Sequence, residues 1–179
     1  MLAPNGRELV TGSPSSRVKA LGIDLPAPPT PLGAYVEASG VGNLLFLSGI
    51  LPVVNRRLAI AGRLGKDLSI EEGREAARLS SLNVLAAAKQ YLGTIDRLKK
   101  LVRLTVVIAT TAEFAEHASV ADGASNLFVQ IFGEEAGHTR VVFGAYTLPA
   151  NAPVIVEAIF EIQLINSSTL NKKPRKDYI

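Results

Sequence analysis

The stretch Leu101–Thr110, LVRLTVVIAT, constrains this chain more than any other. It is rich in β-branched side chains, and apolar residues fall on both faces of the strand it would form. A strand of that kind belongs inside a sheet, with both of its faces covered. The rest of the chain must therefore supply neighbouring strands and something to pack above and below them.

Those elements are legible in outline. Ser69-Ile70-Glu71-Glu72 is a capping-box signature, in which the serine hydroxyl accepts from a free helix amide while Glu72 reaches back. Ile70, Ala77, Val84, Leu85 and Ala88 then recur at helical spacing and Gly93 supplies a stop, which predicts a helix over 70–91. Glu71, Glu72 and Glu75 suit the positive end of that helix better than they suit catalysis. A second helix is expected over 119–132, ending at Gly133. Ala34–Ser39 and Asn43–Ser48 read as strands of a hairpin joined across Gly40-Val41-Gly42. Residues 49–68 are mixed, with Arg56-Arg57 at a turn and a short strand over Leu58–Ile60. Arg140–Leu148 and Val154–Leu164 are two further strands, expected to pair as a hairpin around Pro149–Pro153.

The order β-β-α-β-α-β-β gives an α+β sandwich, with two helices packed on one face of a four- or five-stranded sheet. On the last strand Val154, Val156, Ala158 and Phe160 suit the helices, leaving Ile155, Glu157, Ile159 and Glu161 on the other face. That second face is half apolar, so self-association is expected. Residues 1–16 read as a flexible arm, 17–164 as one domain and 165–179 as a basic tail. Within the domain, LPAPPTPLG at 25–33 is a proline-stiffened extended entry.

Composition removes whole classes of chemistry. With no Cys, no Trp and two His in 179 residues, thiol catalysis, iron–sulfur clusters and multi-His metal sites are excluded within one chain. The net charge of +3 resides in the tail, where Lys172, Lys173, Arg175 and Lys176 face Asp177. Residues 1–171 hold fifteen charges of each sign, so the body has no basic excess for phosphates despite a pI near 9.3. No run approaches the ~20 apolar residues that span a membrane, and the first residues lack a signal-peptide core. A cytoplasmic protein is the expectation.

Few motifs carry chemistry. Gly62-Arg63-Leu64-Gly65-Lys66 lacks phosphate-loop spacing, and neither His117 nor His138 has an evident catalytic partner. Arg140 stands out, a permanent charge opening an apolar strand (RVVFGAY). Its fork fits a ligand carboxylate, or equally an internal ion pair with Glu157 or Glu161. Tyr35 and Ser48 offer hydroxyls on the first two strands.

The segments PLGAYVEASGVGNLLFLSGILP, GRLGKDLSIEEG…AARLSSLNVLAAAKQYLG, VADGASNLFVQIFGEEAGHTRVVFGAYTLP and APVIVEAIFEI together resemble the YjgF/RidA family. The branch is the one labelled endoribonuclease L-PSP/chorismate mutase-like, and the likeness runs from Val18 to Ile162. The resemblance implies a chorismate-mutase-like fold and a homotrimer with clefts between subunits. It further implies that those clefts hydrolyse reactive enamines and imines to 2-oxo acids and ammonia, with no metal and no cofactor. Arg140 matches the carboxylate-binding arginine of the family, Tyr35 the cleft tyrosine and Ser48 the strand-end serine. Asp122 stands where the family often has Asn, Ile50 where it usually has Gln, and Val141 where it has Ser. The glutamate that handles water and proton falls on Ile155, while Glu157 matches a second glutamate.

Three readings follow. One is a deaminase that uses Arg140 as anchor with Glu157 or Asp122 as acid/base. Another is a non-catalytic trimer that binds small carboxylates. The third, a ribonuclease, is disfavoured by the neutral body and 6% aromatic content, which give nucleic acid neither a charged track nor a stacking platform.

Overall fold

The computed structural model describes residues 12–133 and 137–164. Helix α1 (Pro14–Ala20) comes first, with Ser13 at its N-cap and Pro14 in the first turn, where a missing amide hydrogen costs nothing. Val18 is buried, and the backbone amide and hydroxyl of Ser15 both donate to Asp96, at 2.8 and 2.7 Å. The first turn of α1 therefore lies inside the stretch expected to be a loose arm. Residues 1–11 and the expected tail, 165–179, lie outside the described residues.

No regular element forms over 25–33, as the prolines require. Strands β1 (Ala38–Val41) and β2 (Leu44–Ile50) form the expected hairpin, turning at Gly42 with φ +57°. The first strand is shorter than the sequence pattern predicts, so Tyr35 lies in the loop before it. A small ribbon follows, β3 (Val53–Val54) with β4 (Arg57–Leu58). Its two turn residues, Asn55 and Arg56, both hold positive φ, the geometry that matches the twist of a two-residue hairpin.

Helix α2 (Ile70–Leu92) begins with the capping box and ends at Gly93, which has φ +84°. A single 3₁₀ turn, Ile95–Arg97, leads into β5 (Leu98–Ala109), the strand read from LVRLTVVIAT. Helix α3 (His117–Phe132), β6 (Thr139–Ala145) and β7 (Val154–Ile162) complete the chain described. Among the described residues no helix is long and apolar enough to cross a membrane.

The main sheet runs β1-β2-β7-β5-β6. Strand β5 is interior, antiparallel to β7 on one side and parallel to β6 on the other. This corrects the expected pairing of the last two strands, since β6 and β7 never meet. A β5–α3–β6 crossover packs its helix back on the sheet and places β6 parallel beside β5. The chain must then cross to the opposite side of β5 before it can pair again. It does so through Pro149–Asn151, where Ala150 and Asn151 take positive φ.

Helices α2 and α3 cover one face. Leu45, Leu47, Leu104, Val106, Ile108, Val156 and Phe160 rise from the sheet to meet Val84, Leu85, Val120, Leu127, Phe128 and Ile131. Phe128 and Phe160 meet edge-to-face at 5.7 Å. Ile155, Glu157 and Ile159 point to the opposite, uncovered face, as alternation requires.

The two helices approach so closely that a side chain at Gly123 of α3 would overlap the carbonyl oxygen of Arg74 on α2. Because that obstacle is backbone, it does not yield to a rotamer change. Gly123→Ala is therefore expected to cost about 1–3 kcal/mol through forced separation of the helices, seen as a fall of several degrees in Tm by calorimetry.

Candidate functional site

Arg140 is paired in register with the buried Leu104, which puts its side chain on the helix-covered face at the β6 edge. Its Nη1 donates to Asp122 Oδ1 at 2.7 Å and to Ser125 Oγ at 3.0 Å, both on α3. Ser125 Oγ also lies 3.0 Å from His138 Nε2. Burial, reinforced by the Arg140 charge, holds His138 below its ordinary pKa and so favours the neutral ring. The internal partner of Arg140 is thus Asp122, and neither Glu157 nor Glu161. Glu157 is exposed on the opposite face, in register with Thr105, and Glu161 pairs with Lys99 at 3.0 Å. Val141, one residue along from Arg140, likewise faces away from the helices, beside Thr105.

The hydroxyl-bearing candidates gather elsewhere. Tyr35 accepts a hydrogen bond from the Leu32 amide at 3.2 Å, and Ser48 Oγ donates to the Val36 carbonyl at 2.7 Å. The Ser48 amide donates to the Glu37 carbonyl at 2.9 Å, which carries the β1–β2 ladder one step further and sets Glu37 opposite Ser48. Beside them opens a cleft of about 330 Å³. The Pro28–Pro29 segment, Leu32 and Tyr35 form one wall, Gly49, Leu51 and Val53 another, with Glu37 and Arg56 adding charge. That second wall is held by the buried Asn83, whose side-chain nitrogen donates to the carbonyls of Leu51 and Val53, at 3.1 and 2.8 Å.

Burial pushes the Glu37 carboxyl up to about 7 from its ordinary 4.5. Gly49 is the other notable wall residue. A Cβ there would stand 2.8 Å from Ile155 Cγ2, so the glycine lets the β7 side chain close against β2. The β2–β7 register slips between Leu47 and Ile50, and Ser48 and Gly49 sit within that irregularity.

The residues singled out in the sequence therefore fall into two groups. Arg140 and Asp122 are in contact at the β6 edge. Tyr35, Ser48, Ile155 and Glu157 lie around β2 and β7. Three strand steps separate β2 from β6, about 14 Å at ordinary spacing, and the two groups open on different faces. Sequence reasoning missed Ser125 and Glu37, and left His138 without the partner that Ser125 provides. Ser125 follows Asp122 by one helical turn, the spacing at which two side chains share a face. Glu37 follows Tyr35 at strand spacing, a lone acid in AYVEAS.

A family model described as "YjgF/chorismate mutase-like, putative endoribonuclease" matches residues 15–162. The chain belongs to the YjgF/chorismate mutase-like family. It is 37% identical over 155 residues to Protein TCP17 of Trypanosoma cruzi, a match covering 86% of this chain and 97% of that relative. The crystal structure of Atu1372 from Agrobacterium tumefaciens is 35% identical with a TM-score of 0.77, covering 85% of this chain and 93% of that one. A "putative endoribonuclease" from Shewanella oneidensis is 36% identical with a TM-score of 0.81, covering 84% and 100%. Membership in this family bears out the resemblance drawn from the sequence segments, and with it the α+β fold.

The raised pKa of Glu37 has a consequence for stability. The folded state binds this proton more tightly than the unfolded chain does. The resulting stabilisation is present below pH 4.5 and is lost as pH rises through about 7. Thermal melts of Glu37→Gln should therefore lack a part of the Tm decrease that the parent shows across that window.

Proposed function

We propose that this protein hydrolyses small 2-imino or 2-enamino acids to 2-oxo acids and ammonia, without metal or cofactor, in clefts shared between the subunits of a homotrimer. The observation that carries this reading is the division of the site residues between opposite sides of one sheet. A carboxylate held by Arg140 reaches a Tyr35–Ser48 cleft only where a second copy brings its own cleft alongside. The uncovered sheet face supplies a surface for such a copy, with Phe143, Val141 and Phe46 exposed by 49, 40 and 39%. Ile155 and Ile159 fill the ground between them. An apolar face of that kind supports burial against another subunit.

The chemistry needs few groups. Arg140 holds the substrate carboxylate with the donors that Asp122 and Ser125 do not occupy. The carboxylate of Asp122 is committed to Arg140, so it acts as a positioning residue. Water adds to the imine carbon: the C–O bond forms as the C=N electron pair moves to nitrogen, which takes a proton. The C–N bond then breaks, ammonia leaves, and loss of the hydroxyl proton gives the 2-oxo acid.

A second reading, a carboxylate-binding trimer with no chemistry, draws support from Ile155. That side chain closes on Gly49 and offers no proton, while Glu157 is exposed on the uncovered face. Ammonia and 2-oxo acid released from a freshly generated imine, above the solvent rate, favour hydrolysis. Binding without release favours the second reading.

Light scattering at micromolar concentration should return three times the 19.0 kDa chain mass. Arg140→Ala should weaken pyruvate binding, followed by calorimetry, by about ten- to a hundredfold, the effect of one charge-assisted pair.

A further inference from the structure

We propose that Glu37 is the acid/base group of the Tyr35 cleft, taking the place of the carboxyl that Ile155 does not provide. The inference rests on the imine-hydrolase reading and assigns a proton-moving residue to it. Glu37 lines the same cleft as Tyr35 and Gly49, and Gly49 packs closely against Ile155. A carboxyl arriving from β1 thus serves the space beside Ile155 from the neighbouring side. Ladder pairing sets Glu37 opposite Ser48, whose hydroxyl donates to the Val36 carbonyl, so the strand geometry fixes the backbone from which the carboxyl projects.

The surroundings suit proton transfer. Glu37 is half-buried in a cleft that Pro28, Pro29 and Leu32 also line, and among the described residues its carboxyl has no ion-pair partner. The titratable groups that share its cleft are Tyr35 and Arg56, and Glu157 lies beyond Ser48 on β7. Burial outweighs them and keeps the carboxyl protonated up to about pH 7. A carboxylic acid held neutral near physiological pH is poised to donate.

The step balances within the substrate and one water. As water adds to the imine carbon, Glu37 gives its proton to the nitrogen that receives the C=N electron pair. The carboxylate so formed takes the proton of the attacking water, and Glu37 returns to its starting form. Collapse of the carbinolamine then releases ammonia and the 2-oxo acid.

The test uses the full chain and an imine made in place from L-leucine by an amino-acid oxidase. Release of the 2-oxo acid is followed against capture by semicarbazide. Glu37→Gln, isosteric with the protonated acid, should keep the melting curve of the parent at acid pH. It should lower kcat by about 10²–10⁴-fold, the range of a positioned acid/base. The parent kcat should fall as pH rises through about 7, a limb that Glu37→Gln abolishes. Glu37→Asp should recover part of the rate, and Glu75→Gln, on the exposed side of α2, should leave it within about twofold, a small change beside the loss of an acid/base group. An active parent whose Glu37→Gln variant is equally fast, or keeps the pH limb, overturns the role of Glu37 and leaves the imine reading standing. Loss in Glu157→Gln with Glu37→Gln intact does the same. A parent with no activity overturns both.

Discussion

Everything in this fold depends on the position of β5. Leu104, Val106 and Ile108 on its helix side are fully buried, and its two edges are occupied by strands that run in opposite senses. One face is sealed by α2 and α3, whose approach is set by the bare backbone of Gly123 against Arg74. Among the described residues, nothing covers the other face. Burying one side of the sheet thereby creates an unsatisfied surface on the other, and the proposal of assembly follows from that asymmetry.

The same layering governs the charges. Arg140 lies on the helix side because its register partner is Leu104, and there it finds a carboxylate and a hydroxyl one helical turn apart. Glu157 lies on the other side because it pairs with Thr105. Two residues that chemistry alone would join are thus separated by a layer of backbone. A shift of one residue in either register would bring both onto the same face.

Local signals were legible in the sequence and distant ones were not. The capping box at Ser69, the stop at Gly93 and the turn at Gly42 each depend on a few adjacent residues, and each was readable. The pairing of β6 was not, because its parallel place beside β5 is decided by the packing of α3 and leaves no mark in Arg140–Leu148 itself. Arg140 drew attention as a charge among apolar neighbours, yet its partner Asp122 is 18 positions away. Glu37 has no such local signal, because its character comes from the cleft it shares with the distant Gly49, Leu51 and Val53. An acid at strand spacing from Tyr35 looks ordinary until the fold has built that cleft around it.

The position of β7 has a consequence for how the molecule comes together. It is the last strand described, yet it sits between β2 and β5, both laid down earlier in the chain. Until it inserts, the β1–β2 hairpin and the β5–β6 pair have no hydrogen-bonded link, only the helices to hold them side by side. Closure of the sheet is therefore a long-range event that waits for the chain beyond Pro153, and contacts so far apart in sequence form slowly. The strand that joins the two halves of the sheet is thus the one farthest along the described chain.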